Sequence, residues 1–415
     1  MSSLADRVEQ PTESPRRGLD CRVRRRWTAA PRVALVIETT RAYGRRIIEG
    51  VMRYVKEHEP WLIQMEPRAL MDPLPWQLKQ TPVDGMIVRL TDRASLRAVE
   101  QIGVPVVHLK SDSRSTAGAG AAILTDQGAI GRLAAEYFRE RGFRRFGFVG
   151  TPGLAWSDGR LRGFCKIAEK TGCRVAVYPR HRSERWNVEG LPVPGGARLA
   201  AWLRNLPRPI GILAADDFVG VNLLNLCRLH RIAVPDEVAV VGVDDEESLC
   251  RFSVPPLSSI IPDNSRLGYE AAARLNRLMK GRSVGLPGPL LIPPLGIRIR
   301  ESSDTVAIED EVVSRAMIFI RAEACHGIQI DAVARHVGVS QGTLQRRFQA
   351  VLGRPVYESI LRVKMETVKM LLVETSLSLK EIRYRTGFYH MEHLAALFKK
   401  RTGQTLVEFR TSNRR

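Results

Sequence analysis

Four short stretches put charged or aromatic side chains where an apolar run gives way to a helical pattern: "ETTRAYGRRII" (38–48), "WSDGRLRGF" (156–164), "ILAADDFVGVN" (212–222) and "VVGVDDEES" (240–248). A guanidinium can fork onto two oxygens, a carboxylate accepts hydroxyl protons, and a hydroxyl both donates and accepts. Arginine with several carboxylates therefore suits a neutral, polyhydroxylated ligand. Tyr43 either covers an apolar face of such a ring or is a structural aromatic beside a capped helix start. Arg160, on the first turn of its helix and three residues before Gly163, either points into a cleft or makes a surface salt bridge. Of Asp216 and Asp217 one caps a helix and the other is free for hydroxyls, and Asp244 with Asp245 repeats that construction.

The elements that must position these residues alternate in type. "RVALVIE", "GMIVRL", "PVVHL", "RFGFVG", "IGILAAD" and "VAVVGVD" read as strands, and amphipathic stretches such as "YGRRIIEGVMRYVKEH" and "QGAIGRLAAEYFRERG" read as helices between them. The segment "PWQLKQ" also reads as helix. Strand-then-helix runs at this spacing imply right-handed βαβ units and parallel sheets, whose ligands sit at the carboxyl ends of strands. The fold class expected is an α/β domain of two lobes with a cleft between them over 32–298, one lobe ending near "VVHL" and the other starting with the helix from Gln127. A polar linker follows at 299–311, then an all-α domain over 312–412. Residues 1–31 read as a disordered basic leader, without the apolar core of a secretory signal.

The all-α segment repeats one theme. In "IQIDAVARHVGVSQGTLQRRF", Val333, Ala334 and Val337 form an apolar face, Gly338 supplies the turn, and Ser340 caps the next helix. Leu344 and Phe348 lie four apart and face the core together. Gln341, Gly342, Gln345, Arg346 and Gln349 are left for the outer surface. "LKEIRYRTGFYHMEHLAALFKKRTG" repeats the pattern 50 residues on, with Leu394 and Phe398 as the pair. Two helix-turn-helix units joined by one helix would place their second helices in successive turns of a major groove, about 34 Å apart. Ser340, Gln341, Gly342, Gln345 and Arg346 on the first, and His390, Glu392 and His393 on the second, are the residues expected at the DNA. Lys399, Lys400 and Arg401, with Arg346 or Arg347, would hold phosphates. Gln341 either reads adenine through its amide or is a solvated helix-start residue.

Charge agrees with that division. Residues 312–415 hold 18 Lys/Arg against 8 Asp/Glu, a net +10 that is half of the chain's +20, which points to a polyanion partner. The six cysteines show no metal-ligand spacing and read as reduced thiols of a cytoplasmic protein. No apolar run approaches a membrane span. No Gly-rich phosphate loop follows a strand and no nucleophile arrangement appears, so neither an enzyme, a cofactor nor a metal is expected.

Residues 312–410 resemble the AraC-type DNA-binding domain, on "VGVSxxxLxRxF" and "GFxxxxxLxxxFKKxxGxTxxxFR". Gln341 stands where that family usually has arginine, Ala396 where Arg or Lys is frequent, and Leu406 where proline is usual. Residues 33–300 resemble the lactose/galactose-repressor family and the periplasmic sugar-binding proteins, on "RLRGF", "LAADDFVGVNLL" and "VAVVGVDDEESLCRFSVPPLSSI". That resemblance implies that Arg160, Asp216 and Asp244 contact the ligand, Asp216 standing where Asn is common. The order of sensor, linker and AraC-type domain resembles the xylose-operon regulators. It implies a dimeric transcription activator that binds DNA and a pentose such as D-xylose, with RNA polymerase as a further partner. Within the same architecture the alternatives are another sugar, or repression.

Overall fold

The computed structural model describes residues 30–70, 72–74, 82–90, 92–109, 122–170, 172–179, 196–282, 289–305, 307–308 and 310–413. All but two residues of the expected leader, the helix expected at "PWQLKQ", and Cys21 lie outside them.

Two lobes follow from the alternation of strand and helix. The first begins β1 (Arg32–Val36), α1 (Ala42–Glu57), β2 (Leu62–Met65), β3 (Gly85–Val88), α2 (Arg93–Glu100), β4 (Val106–His108) and β5 (Ile123–Thr125). Its parallel sheet runs β2-β1-β3-β4, and a His108–Ala122 bridge carries it on to β5. The second holds α3 (Gln127–Glu140), β6 (Phe146–Val149), α4 (Ala155–Lys170), β7 (Val175–Val177), α5 (Gly196–Arg204), β8 (Ile210–Ala214), α6 (Asp217–Leu229), β9 (Val238–Val243), α7 (Glu247–Phe252) and β10 (Ser258–Pro262). Buried strands such as β8 and β9 are apolar throughout because helices cover both faces.

The lobes are not two successive stretches of chain, as the sequence pattern suggested. After β10 the chain returns to the first lobe for α8 (Asn264–Met279), which packs on α1, and β11 (Leu290–Ile292), which pairs with β5. It then crosses back as β12 (Pro294–Arg298), antiparallel to β10 at the edge of the order β12-β10-β9-β8-β6-β7. Among the described residues three crossings therefore join the lobes, at β5–α3, β10–α8 and β11–β12. The sequence reading of this domain's elements ended with the strand "VAVVGVD", so it held no information on α8, β11 and β12 or on the lobe each would join.

Reciprocal glycines bring one helix pair in each lobe to backbone contact. A Cβ on Gly50 of α1 would lie 1.9 Å from Ser265 O of α8, and one on Gly268 would lie 1.9 Å from Ile47 O. In the second lobe, a Cβ on Gly131 of α3 would meet Arg160 O at 2.0 Å, and one on Gly163 of α4 would meet Gly128 O at 2.1 Å.

Past β12 the chain is fixed to the second lobe before it becomes helical. Ser302 Oγ donates to Val240 O at 2.7 Å, and Ser303 Oγ lies 2.6 Å from Tyr137 Oη. Then come α9 (Glu311–Glu323), α10 (Ile330–Val337), α11 (Gln341–Leu352), α12 (Val356–Glu374), α13 (Leu379–Arg385), α14 (Met391–Thr402) and α15 (Leu406–Asn413). They form two small cores, one holding Leu344 and Phe348, the other Leu394 and Phe398. Gly338 (φ +74°) and Gly387 (φ +65°) make the two turns. Ile308 inserts into the first core, and Leu295 of β12 packs against the second.

Alanine at Gly131 measures the α3–α4 contact. Helix propensity alone would stabilise the substitution by up to about 1 kcal/mol. The collision with Arg160 O reverses that sign, and a loss of about 2 kcal/mol is expected from overpacking. The urea unfolding midpoint of Gly131→Ala should fall below wild type, and an unchanged or raised midpoint would contradict the contact.

Candidate functional site

The four stretches singled out in the sequence meet between the lobes. Arg160 lies on the second turn of α4, not the first, and is 2% exposed, which excludes a surface salt bridge. Its Nε donates to Gln127 Oε1 at 2.7 Å, Nη1 donates to Ala215 O, and Nη2 is 3.5 Å from Asp244 Oδ1. The Trp156 ring lies 5.0 Å from the guanidinium. Tyr43 is buried on the first turn of α1, whose N-cap position, Arg41, makes no side-chain cap. Its hydroxyl lies 2.8 Å from Thr125 Oγ1, and burial raises its pKa.

The two aspartate pairs divide their work differently from the sequence expectation. Asp216 caps α6 with Oδ1, accepting from Val219 N at 2.9 Å, and turns Oδ2 to Arg41 at 3.7 Å. Asp217 is not free for a hydroxyl. It accepts from Ser259 Oγ at 2.6 Å and from Glu246 N at 2.8 Å, and burial, with Asp244 nearby, holds its pKa well above the usual carboxylate range. Asp244 (φ +107°) and Asp245 (φ +49°) both take left-handed backbone, which L-residues other than Gly, Asn and Asp rarely adopt. Asp245 holds that turn. Its fully buried carboxylate meets Arg46 at 3.3 Å, Arg298 at 2.5 Å and Arg300 at 2.8 Å. Asp244 is thereby aimed at Arg160. Burial pushes its pKa up to about 6, opposed by Arg160 and aided by Asp216.

Several residues here escaped the sequence reading. Glu38 and Arg89 close the runs "RVALVIE" and "GMIVRL" at the first lobe's strand ends, form a buried ion pair, and bring the Arg89 guanidinium 4.3 Å from the Tyr43 ring. Burial opposes the Arg89 charge, but Glu38 outweighs it and the pKa is raised, with Asp244 contributing from the opposite lobe. Glu38 Oε2 is buried without a hydrogen-bond partner. Arg41 and Arg45 cross between the lobes, Arg41 to Asp216 and 4.7 Å over the Phe218 ring, Arg45 to Glu246 at 2.8 Å. The signal available was position, a charged residue ending an apolar strand. Around the cleft, Arg41–Asp216, Arg89–Glu38 and Arg160–Asp244 are three guanidinium–carboxylate pairs, so each of these groups has an opposite charge beside it.

At the other end of the chain, Ser340 caps α11 by accepting from Thr343 N at 3.2 Å. Gln341, Gly342 and Arg346 are exposed on that helix, as are His390, Glu392, His393, Lys399 and Lys400 at and along α14. Gln345 is not turned fully outward. It is half-buried and accepts from Val356 N at 3.3 Å. Arg347 pairs with Asp310 at 2.9 Å, and Arg401 is forked onto both oxygens of Glu358 at 2.9 and 2.7 Å, so neither is the free phosphate ligand that charge alone suggested.

The family model for a periplasmic binding protein-like domain matches residues 135–303, that for the XylR N-terminal domain matches 32–118, and that for a helix-turn-helix domain matches 333–412. The xylose operon regulatory protein of Escherichia coli (strain K12) is 31% identical over 93% of this chain and 98% of its own length. That of Haemophilus influenzae is 29% identical over 91% and 98%. A solved structure of a xylose-binding transcription activator, xylR, is 30% identical and superposes with a TM-score of 0.58 over 94% of this chain and all of its own. With its lobed sensor followed by paired helix-turn-helix units, the chain belongs to the xylose operon regulatory protein family of transcription regulators.

Proposed function

We propose that the protein is a DNA-binding transcription regulator of the cytoplasm that senses a neutral pentose, D-xylose, between its lobes and acts as a homodimeric activator in concert with RNA polymerase. The observation that carries this reading is the set of guanidinium–carboxylate pairs drawn from both lobes. Such pairs offer donors and acceptors to the hydroxyls of a neutral sugar. Tyr43, Arg160, Asp216 and Asp244 are the ligand contacts on this reading. The supporting fact for D-xylose is that the relatives above are named for it. A ligand that bridges Asp216 and Asp244 to α1 favours one lobe angle, and only such differential binding can shift the regulator between states.

The recognition helices are α11 and α14. Gln341 would meet base edges through its amide, and Arg346, Lys399 and Lys400 would hold phosphates. Residues 1–31, 32–298, 299–311 and 312–412 remain the proposed leader, sensor, linker and DNA-binding domain.

Three tests follow from this reading. D-xylose at a hundredfold excess over its dissociation constant stabilises the native state by about 2.7 kcal/mol, so the thermal midpoint should rise. Arg160→Ala and Asp244→Asn should lose that rise while keeping sugar-free DNA affinity, and a full rise in both variants would exclude these contacts. The response should also depend on pH. Asp244 titrates near 6, above its ordinary 3.8, and protonation removes Arg160's charged partner and an acceptor for the ligand. Sugar affinity measured by calorimetry should be full above pH 7 and fall by up to about tenfold per unit below 6. Asp244's own contribution to stability runs the other way. The native state holds this proton more tightly, so that contribution is present below about pH 4 and lost as pH rises through 6. Finally, in a binding-site selection, Gln341→Arg should move the preferred base under α11 from adenine to guanine, and an unchanged preference would leave Gln341 a solvated residue.

A further inference from the structure

The helix α3 touches the proposed sugar site with one end and the DNA-binding domain with the other. At its start, Gln127 accepts from the Arg160 guanidinium, and Thr125, two residues earlier, is hydrogen-bonded to the Tyr43 hydroxyl. Asp126 caps the helix, its Oδ1 accepting from Ala129 N at 2.8 Å, directly after the β5 crossing between the lobes. At its end stands Glu140, whose carboxylate pairs with Arg354 at 3.3 Å and with Arg362. Arg354 lies in the α11–α12 turn and Arg362 on α12. Arg362 also pairs with Glu358 at 3.0 Å, and Glu358 holds Arg401 of α14. One chain of alternating charge thus runs from α3 through α12 to the second recognition helix.

Between those ends the helix cannot bend independently of the ligand-binding helix. Its 14 residues span about 21 Å, and the Gly131 and Gly163 contacts press it backbone to backbone against α4, which carries Arg160. A second junction stands beside Glu140: Ala307 N donates to Arg141 O at 2.7 Å, and a Cβ on Gly142 would lie 2.3 Å from Ile308, a core residue of the first helix-turn-helix unit.

We propose that α3 and α4 form a single rod that carries sugar occupancy to the DNA-binding domain, with Glu140 as the positioning residue that couples the rod to both helix-turn-helix units. The rod rests on the sugar reading of the cleft. Contact with Arg160 moves α3 about the β5 crossing, and Glu140 hands the displacement to Arg354 and Arg362. A helix pair packed backbone to backbone moves as one unit, so a shift at its sugar end reaches the docked end at Glu140. Glu140 touches neither the sugar nor the DNA, so its effect is confined to coupling.

The test is Glu140→Gln in the full chain, which keeps shape and removes the charge. Three measurements are made with and without D-xylose: thermal midpoint, anisotropy of a DNA duplex selected against the wild-type chain, and hydrogen exchange across 351–362. Glu140→Gln should keep the sugar-induced midpoint rise and keep sugar-free DNA affinity within about twofold. It should exchange faster over 351–362 and lose most of the sugar-induced change in DNA affinity, a factor of about five or more in the wild type. Wild-type coupling in the variant would overturn the proposal. So would a variant that lost sugar-free DNA affinity along with coupling, which would make Glu140 a merely structural residue. If D-xylose failed to raise the midpoint of the wild-type chain, the sugar reading itself would be overturned.

Discussion

The arrangement of this protein depends on one buried carboxylate. Asp245 has no exposed surface, and its three guanidinium partners come from separate parts of the chain: Arg46 from the first lobe, Arg298 from the last strand, and Arg300 from the segment that leads to the helical domain. An isolated charge there would cost several kcal/mol, and removing one partner of a buried pair typically costs about 3–5 kcal/mol. The turn is therefore fixed, in a positive-φ conformation that aspartate tolerates better than most residues. On one side Asp244 is held facing Arg160. On the other, Glu246 accepts from Ala42 N at 2.5 Å and from Arg45 at the start of α1. The Asp244–Asp245 turn, the opposite lobe and the exit toward the DNA-binding domain share one electrostatic anchor.

Around that anchor the lobes are rigid in themselves. The reciprocal glycines of α1 with α8 and of α3 with α4 leave no space for either pair to slide, because the nearest atoms are backbone. What can change is the angle between the lobes at the β5–α3, β10–α8 and β11–β12 crossings. The helical domain does not hang free of that angle. Arg53 of α1, in the first lobe, donates to Thr411 O of α15 at 2.7 Å, and Leu295 of β12, in the second lobe, packs against the core around Phe398. Its other core is held to the second lobe through Ile308 and Glu140. A domain seated on both sides of a hinge feels any rotation about it.

Local pattern carried much of this into view. The Leu344–Phe348 and Leu394–Phe398 spacings mark core positions because four residues is one helical turn, and all four side chains are fully buried. The aspartates at the ends of β8 and β9 were visible because a strand end in an α/β sheet is where ligands sit. What escaped was whatever depends on partners distant in sequence. Glu38 and Arg89 are 51 residues apart and meet only because β1 and β3 are neighbours. The return of α8 and β11 to the first lobe likewise has no local signature, since a helix packs on α1 or on α3 with the same periodicity. Asp216 and Asp217 look interchangeable in "LAADDF", and only the position of Ser259 and Glu246 N decides which of them is spent on the fold.

Charge is the clearest case of a property that composition states and structure redistributes. The +10 of residues 312–415 is not ten cations facing a duplex. Arg347 is paired with Asp310, Arg354 and Arg362 with Glu140, Arg401 with Glu358, and Lys364 donates to Gly387 O at 2.7 Å, closing the second turn. These cations build the domain and its seat. Of the five exposed cations along the recognition helices, Arg347 and Arg401 are held in these pairs, and Arg346 on α11 and Lys399 and Lys400 on α14 stand apart from them. Each phosphate neutralised contributes to affinity in the same way whatever the sequence, so sequence preference must come from the side chains that meet base edges. The two helices present unlike chemistry there, the Gln341 amide on one and His390, Glu392 and His393 on the other. An amide pairs best with adenine and a carboxylate accepts from cytosine, so on the proposed reading each domain meets two different half-sites in a fixed order, and the polarity of the site sets the polarity of the bound regulator.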